Sequence, residues 1–159
     1  MDTLIIINQA AAKARRAWPI IQQHLNTFRY ELYETRSPGD ATKKTRSALQ
    51  LGTTTIVVVG GDGTLSEVAE GFFEFQADLA LLPRPINADA RLAILPAGTG
   101  DDFARGLRGQ RASLKSWIDT LLAEVVLKAQ PGRRHFRHRS DLEPRQIGQS
   151  KLGRLALAD

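Results

Sequence analysis

The sequence predicts an α/β protein: a parallel sheet with helices on both faces, a three-layer, Rossmann-like arrangement. Three observations carry that reading. Short β-branched runs alternate with longer stretches of helical periodicity from Thr3 to Val126, the pattern of a sheet built from βαβ units. One run, Ile56-Val57-Val58-Val59, is apolar without interruption, as expected of a strand covered on both faces. Finally, two glycine-rich turns each follow a strand and precede a helix, where open parallel sheets bind their ligands.

Taken in order, Thr3–Ile7 reads as a buried strand. Ala17, Ile21, Leu25 and Phe28 recur at helical spacing, with Pro19 placed in that helix's first turn, where its missing N–H costs little. Arg29–Glu34 alternates aromatic and charged residues and reads as a second strand. Ser37-Pro38-Gly39-Asp40 is a turn leading into a helix, with Asp40 as N-cap and Gly52 as the C′ residue that ends it. Thr55–Val59 is the clearest strand, and Leu65, Val68, Ala69, Phe72 and Phe73 mark one face of the helix that follows. Residues 76–91 read as a loop, Leu92–Leu95 as a strand and Asp102–Leu107 as a short helix. Leu114, Trp117, Ile118, Leu121, Leu122, Val125 and Val126 mark a last helix, capped by Ser113. Beyond Gln130 the periodicity stops. Residues 1–130 are therefore read as a nucleotide-binding domain, and 131–159 as a basic tail, a linker or the truncated start of a second domain.

Composition narrows the function. A chain 42% hydrophobic and 25% charged is ordinary for a globular domain. Without cysteine, disulfides and thiolate metal sites are excluded, and three scattered histidines argue against structural zinc. The longest apolar run near the start, Leu4–Ile7, is far short of the roughly 18 residues of a membrane span, and a signal-peptide pattern is lacking. The expected location is cytoplasmic, with peripheral contact to a membrane left open. Acidic and basic residues nearly balance up to Gln130, so the net charge of +5 belongs mainly to the tail and does not describe a nucleic-acid-binding face.

The first glycine-rich turn is Gly60-Gly61-Asp62-Gly63-Thr64, followed by Glu67. Its glycines let the backbone approach a ligand closely, and the next helix offers unpaired N–H groups suited to phosphate. Asp62 can reach a Mg²⁺ carried by nucleotide phosphates, since that ion takes only one or two protein carboxylates. No Lys-Ser/Thr follows, so this is not a Walker loop, and Ser66 breaks a dinucleotide fingerprint. The plainer alternative is a capping box, with Thr64 at N-cap and Glu67 at N3. The second turn lies in Leu95-Pro96-Ala97-Gly98-Thr99-Gly100-Asp101-Asp102-Phe103-Ala104-Arg105. There Gly98 and Gly100 allow close approach and Thr99 offers a hydroxyl. The alternative is that Asp101 or Asp102 only caps the short helix, with Arg105 solvated.

With both motifs at this distance, residues 3–107 resemble the catalytic domain of diacylglycerol kinases, a family that includes bacterial lipid kinases and the sphingosine and ceramide kinases. Gly60–Thr64 with Glu67 matches that family's Gly-Gly-Asp-Gly-Thr-x-x-Glu loop, and Leu95–Arg105 is similar to its Leu-Pro-x-Gly-Thr-x-Asn-Asp-Phe-Ala-Arg segment. Thr35 with Gly39-Asp40-Ala41 resembles a stretch that lies near the nucleotide, and Asn8 corresponds to the Asn of an Asn-Pro turn. Three features depart from the pattern: Gln9 replaces the proline, Ala10–Ala12 replace glycines, and Asp101 replaces an asparagine.

The resemblance implies ATP as phosphate donor, Mg²⁺ as cofactor and a lipid hydroxyl at a membrane surface as acceptor. Asn8, Thr35, Gly60, Gly61, Asp62, Gly63, Thr64, Glu67, Gly98, Thr99 and Gly100 would hold the nucleotide, with Asp62 also the metal-facing and catalytic candidate. Nothing in 131–159 resembles the β-rich second domain in which the family carries its carboxylate base, so a binding module without catalysis is a second expectation. An NAD or sugar-phosphate kinase is a third, because such enzymes share the first motif. A homodimer is compatible with the sequence and is not specified by it.

Overall fold

Ile6 and Val58, and likewise Ile5 and Val57, are fully buried although they point to opposite faces of their strands, which requires a covered sheet. The computed structural model describes residues 2–26, 29–74, 82–109 and 112–129 and shows that cover. Strands β1 (Thr3–Ile7), β2 (Glu31–Glu34), β3 (Thr55–Gly60) and β6 (Arg91–Pro96) form one sheet in the order β2-β1-β3-β6. All its pairings are parallel, with Ile5 opposite Leu32 and Val57, and Val57 opposite Ala93. Helices α1 (Ala12–His24) and α5 (Leu114–Ala129) cover the face of Ile5, Ile7, Val57 and Val59, where Trp18, Ile21, Ile118 and Leu121 pack. Helices α2 (Asp40–Gln50) and α3 (Asp62–Gly71) cover the face of Leu4, Ile6, Ile56 and Val58 with Ala41, Ala48, Leu49, Leu65 and Val68. The short α4 (Asp102–Arg108) adds Ala104 to that second core.

Most expected elements are present, and the departures have physical causes. Pro19 lies well inside α1, because Ala12 to Ala17 supply good helix formers and Ala14 and Trp18 a buried face ahead of it. The proline is exposed and cannot donate to the Arg15 carbonyl, a cost the packing of Trp18 and Ile21 offsets. Asp40 is the first residue of α2 and not its cap; the cap position is Gly39, at φ 79. The end of α2 is as expected: Gly52 (φ 91) donates to the Leu49 carbonyl and Thr53 to that of Ala48, the paired bonds of a Schellman motif. Ser113 caps α5 through the Ser116 N–H. Phe73 leaves the helical face and, exposed, joins β4 (Phe73–Glu74), which pairs antiparallel with β5 (Arg84–Pro85) inside the stretch expected to be loop. Phe28 and the whole of 131–159 lie outside the described residues.

Helices α2 and α3 approach closely at Gly71, where an added Cβ would sit 2.6 Å from Thr45 Cβ and 2.8 Å from the Thr42 carbonyl oxygen. The Thr42 hydroxyl donates to the Glu67 carbonyl in the same contact at 2.9 Å. Gly71→Ala is therefore expected to destabilise the fold by about 1–3 kcal/mol through overpacking. Gly106→Ala, which meets nothing within 4 Å, is expected to be neutral or to stabilise by up to about 1 kcal/mol. Urea midpoints of the two variants check the contrast.

Candidate functional site

Because the pairings are parallel, Asn8, Thr35, Gly61 and Ala97, which follow the four strands of the sheet, emerge along one edge. Chain order reverses direction between β1 and β3, the switch point at which such sheets leave a crevice. A cleft of about 620 Å³ lies there. Asn8, Thr35, Gly61, Asp62, Gly63, Thr64, Glu67, Gly98 and Thr99 line it, so nine of the eleven residues singled out from sequence are brought together.

The two glycine-rich turns pack backbone against backbone. The Ala97 N–H donates to the Gly60 carbonyl at 2.9 Å, and a Cβ on Gly61 would stand 3.0 Å from Gly98 Cα. A Cβ on Gly98 would meet Gly61 from the other side and lie 2.7 Å from Asp101 Oδ1. That carboxylate accepts the Gly98 N–H at 2.8 Å, and Asp101 adopts a left-handed conformation (φ 54), which aspartate tolerates better than most residues. Asp101 occupies the N-cap position of α4 without capping it.

The capping is done by Asp62. Its Oδ2 accepts the Asp102 N–H at 3.0 Å and its Oδ1 the Phe103 N–H at 3.3 Å, across forty residues of chain. The carboxylate expected to face a metal thus ties the first turn to the helix after the second. Asp102, exposed, pairs with Arg105, which is therefore not simply solvated. Nor does the capping box exist: α3 begins at Asp62, three residues early for it, with Gly61 at its cap and no side-chain cap bond. Thr64 and Glu67 are freed to line the cleft.

Two of the predicted residues stand apart. Gly60 is buried at the end of β3, where an added Cβ would be 3.0 Å from Thr64 Oγ1. Gly100 faces a smaller adjoining cavity of about 200 Å³, bounded also by Arg105, Leu114 and Trp117.

Sequence reasoning missed the cations. Lys13, in the first turn of α1, and Arg36, just after β2, both line the cleft. The Lys13 ammonium lies 3.4 Å from the Thr99 carbonyl, at the boundary of the two cavities. Their one sequence signal was position, shortly after the carboxyl end of a strand. α1, like α3, starts on the cleft without a side-chain cap bond, so both helix N-termini present N–H groups there. Asn8 shapes the approach to α1 by accepting the Ala10 N–H at 3.1 Å, while Thr35 is anchored to the Ile7 carbonyl through its N–H at 2.9 Å.

Cations and helix N-termini converging on adjoining glycine turns suit a polyphosphate. Among the described residues no group of three or more His, Cys, Asp or Glu could hold a metal, and the carboxylates that line the cleft are Asp62 and Glu67. A family model, that of the diacylglycerol kinase catalytic domain, matches residues 2–133. The chain belongs to this family.

Its relatives agree. The family member named "Diacylglycerol kinase" in Staphylococcus carnosus (strain TM300) is 30% identical over 138 residues, covering 84% of this chain and 41% of that protein. One named "Probable lipid kinase YegS-like" in Xanthomonas euvesicatoria pv. vesicatoria (strain 85-10) is 41% identical over 93 residues, 58% of this chain and 26% of that protein. A Pseudomonas aeruginosa (strain UCBPP-PA14) protein of the same name is 37% identical over 97 residues, 60% and 28% of the two chains. The chain thus spans less than half the length of these family members.

Losing a capping carboxylate costs about 0.5–2 kcal/mol. Asp62→Ala is expected to lower stability in that range in a urea titration. Asp62→Asn, which keeps one carbonyl acceptor for the α4 amides, should lose less.

Proposed function

We propose that this chain is the ATP-binding half of a lipid kinase, acting with Mg²⁺ to phosphorylate the hydroxyl of diacylglycerol or a related lipid. The observation that carries the reading is the cleft itself. The Gly61–Gly63 and Gly98–Thr99 backbones meet there beneath two uncapped helix N-termini, with Lys13 and Arg36 on its walls. Residues 1–130 constitute the nucleotide domain, and the family match over 2–133 favours a lipid kinase over an NAD or sugar-phosphate kinase. Lipid as acceptor comes from the names of the relatives. Among the described residues no helix is long and apolar enough to cross a membrane.

Phosphoryl transfer depends on positioning and charge neutralisation rather than on covalent work by the protein. The acceptor oxygen bonds to the terminal phosphorus as the bond to the bridging oxygen breaks, ADP leaves, and the hydroxyl proton passes to a base. The N–H groups of Gly61, Gly63 and the first turn of α1 would hold phosphate oxygens, while Lys13 and Arg36 would neutralise charge. Mg²⁺, carried on the nucleotide, supplies further neutralisation. Asp62 keeps both turns in register beneath it, and Thr35 and Asn8 flank the nucleotide.

A second reading, a binding module that turns over little on its own, is favoured by one observation: the cavity adjoining the cleft, at about 200 Å³, is below the roughly 300–1,000 Å³ of sites for drug-sized ligands. Without acceptor positioning, effective molarities on the order of 10⁵ M or above are forgone. The chain alone is therefore expected to bind Mg-ATP and to form little phosphatidic acid in mixed micelles containing diacylglycerol. Lys13→Gln should weaken Mg-ATP binding about tenfold in calorimetry, since a hydrogen bond to a charged group is worth about 1.5–3 kcal/mol. Absence of nucleotide binding would sink both readings. Rapid lipid-dependent turnover would sink the second alone.

A further inference from the structure

The connector between β2 and α2 places Arg36, Ser37 and Pro38 on the cleft, yet its residues are largely exposed and contribute little to either core. Its shape depends on one carboxylate. Asp40 Oδ2 accepts the Arg36 backbone N–H at 2.9 Å, and Asp40 Oδ1 accepts the Tyr33 hydroxyl at 3.0 Å. The Asp40 N–H in turn donates to the Ser37 carbonyl at 3.2 Å. Gly39, at φ 79, makes the turn that lets residue 40 reach back across the connector, a conformation a side chain at 39 would strain. Tyr33 is itself held from outside: the Lys44 ammonium lies 5.2 Å from the centre of its ring and pairs with Glu31 at 2.6 Å.

The ionisation of the pair agrees with this geometry. The Arg36 N–H, and after it the Tyr33 hydroxyl, hold the Asp40 carboxyl below its ordinary range. Donation to Asp40 pushes the Tyr33 hydroxyl up. At neutral pH the carboxylate is charged and accepts from both partners.

We propose that Asp40 is a positioning residue for the phosphate end of the nucleotide, clamping the Arg36 amide and the Tyr33 hydroxyl so that Arg36 is kept on the wall of the cleft that Lys13 also lines. This inference rests on the nucleotide reading above and adds a residue that does not itself line the cleft. Arg36 follows β2 by two residues on an exposed connector, so its mean position depends on how tightly that connector is folded. With the clamp gone the guanidinium samples many placements, and the ordering cost falls on nucleotide binding instead.

The test is a double-mutant cycle on the full chain, read as calorimetric affinity for Mg-ATP and for AMP, with melting temperature as a check on folding. Arg36→Gln is expected to weaken Mg-ATP about tenfold and AMP less than about twofold, because the lost charge acts on the terminal phosphates. Asp40→Ala should reproduce most of that selective loss, and in the Arg36→Gln background it should add less than about twofold. Tyr33→Phe, which removes one of the two donors, should fall between, and it decides by the same cycle should Asp40→Ala not fold. The proposal is overturned if Asp40→Ala leaves Mg-ATP affinity unchanged, if it weakens AMP equally, or if its loss persists in full without Arg36. Wild-type chain that binds no nucleotide would instead overturn the function reading, and this inference with it.

Discussion

The Asp62 carboxylate is the interaction on which the site depends. Its two oxygens reach from the start of α3 to the first N–H groups of α4 and lock the turn after β3 to the turn after β6. Buried side chains hold the strands in place, but they do not by themselves join the turns at the edge. The Asp62 carboxylate and the Ala97 N–H bond to Gly60 close that gap together, and two glycines make the closure sterically feasible, since side chains at 61 and 98 would collide. The backbone on this side of the cleft is thus a composite of two segments distant in sequence.

Beneath it, the sheet supplies rigidity through burial on both faces. Ile5, Ile7, Val57 and Val59 face α1 and α5, while Leu4, Ile6, Ile56 and Val58 face α2 and α3. Close packing on each side fixes where the four connectors emerge and so where the cleft lies. Position on the edge is set by packing. Fine orientation is set by side-chain acceptors: Asn8 on Ala10, Asp101 on Gly98, Asp62 on α4 and Asp40 on Arg36.

Much of this was legible in the sequence. The run Ile56–Val59 and the two glycine turns located β3, β6 and the binding edge, because strand burial and turn chemistry are local properties written in adjacent residues. The N-terminus of α1 was misjudged because its opening turn is mostly alanine and charge, with little amphipathic signal before Trp18. Lys13 and Arg36 escaped notice because a lone cation carries no pattern; only the order β2-β1-β3 brings residues so far apart in sequence to one cleft. Asp62 was recognised as important, but its bonds to the α4 amides were not foreseen, since those donors lie forty residues away. Asp40 was placed as a helix cap when its acceptor atoms in fact serve the preceding connector.

The contact between Gly61 and Gly98 also bears on how such domains can be recombined. The two turns share one surface with no side chain between them, and the Ala97 N–H bond to Gly60 fixes their offset. A chimera that takes the segment up to β3 from one relative and the segment from β6 onward from another would join half-loops shaped against different partners. Any difference in backbone height there has no flexible side chain to absorb it. The pair behaves as a single heritable unit, so crossover points that keep residues 60–103 together should give folded hybrids more often than points within that stretch.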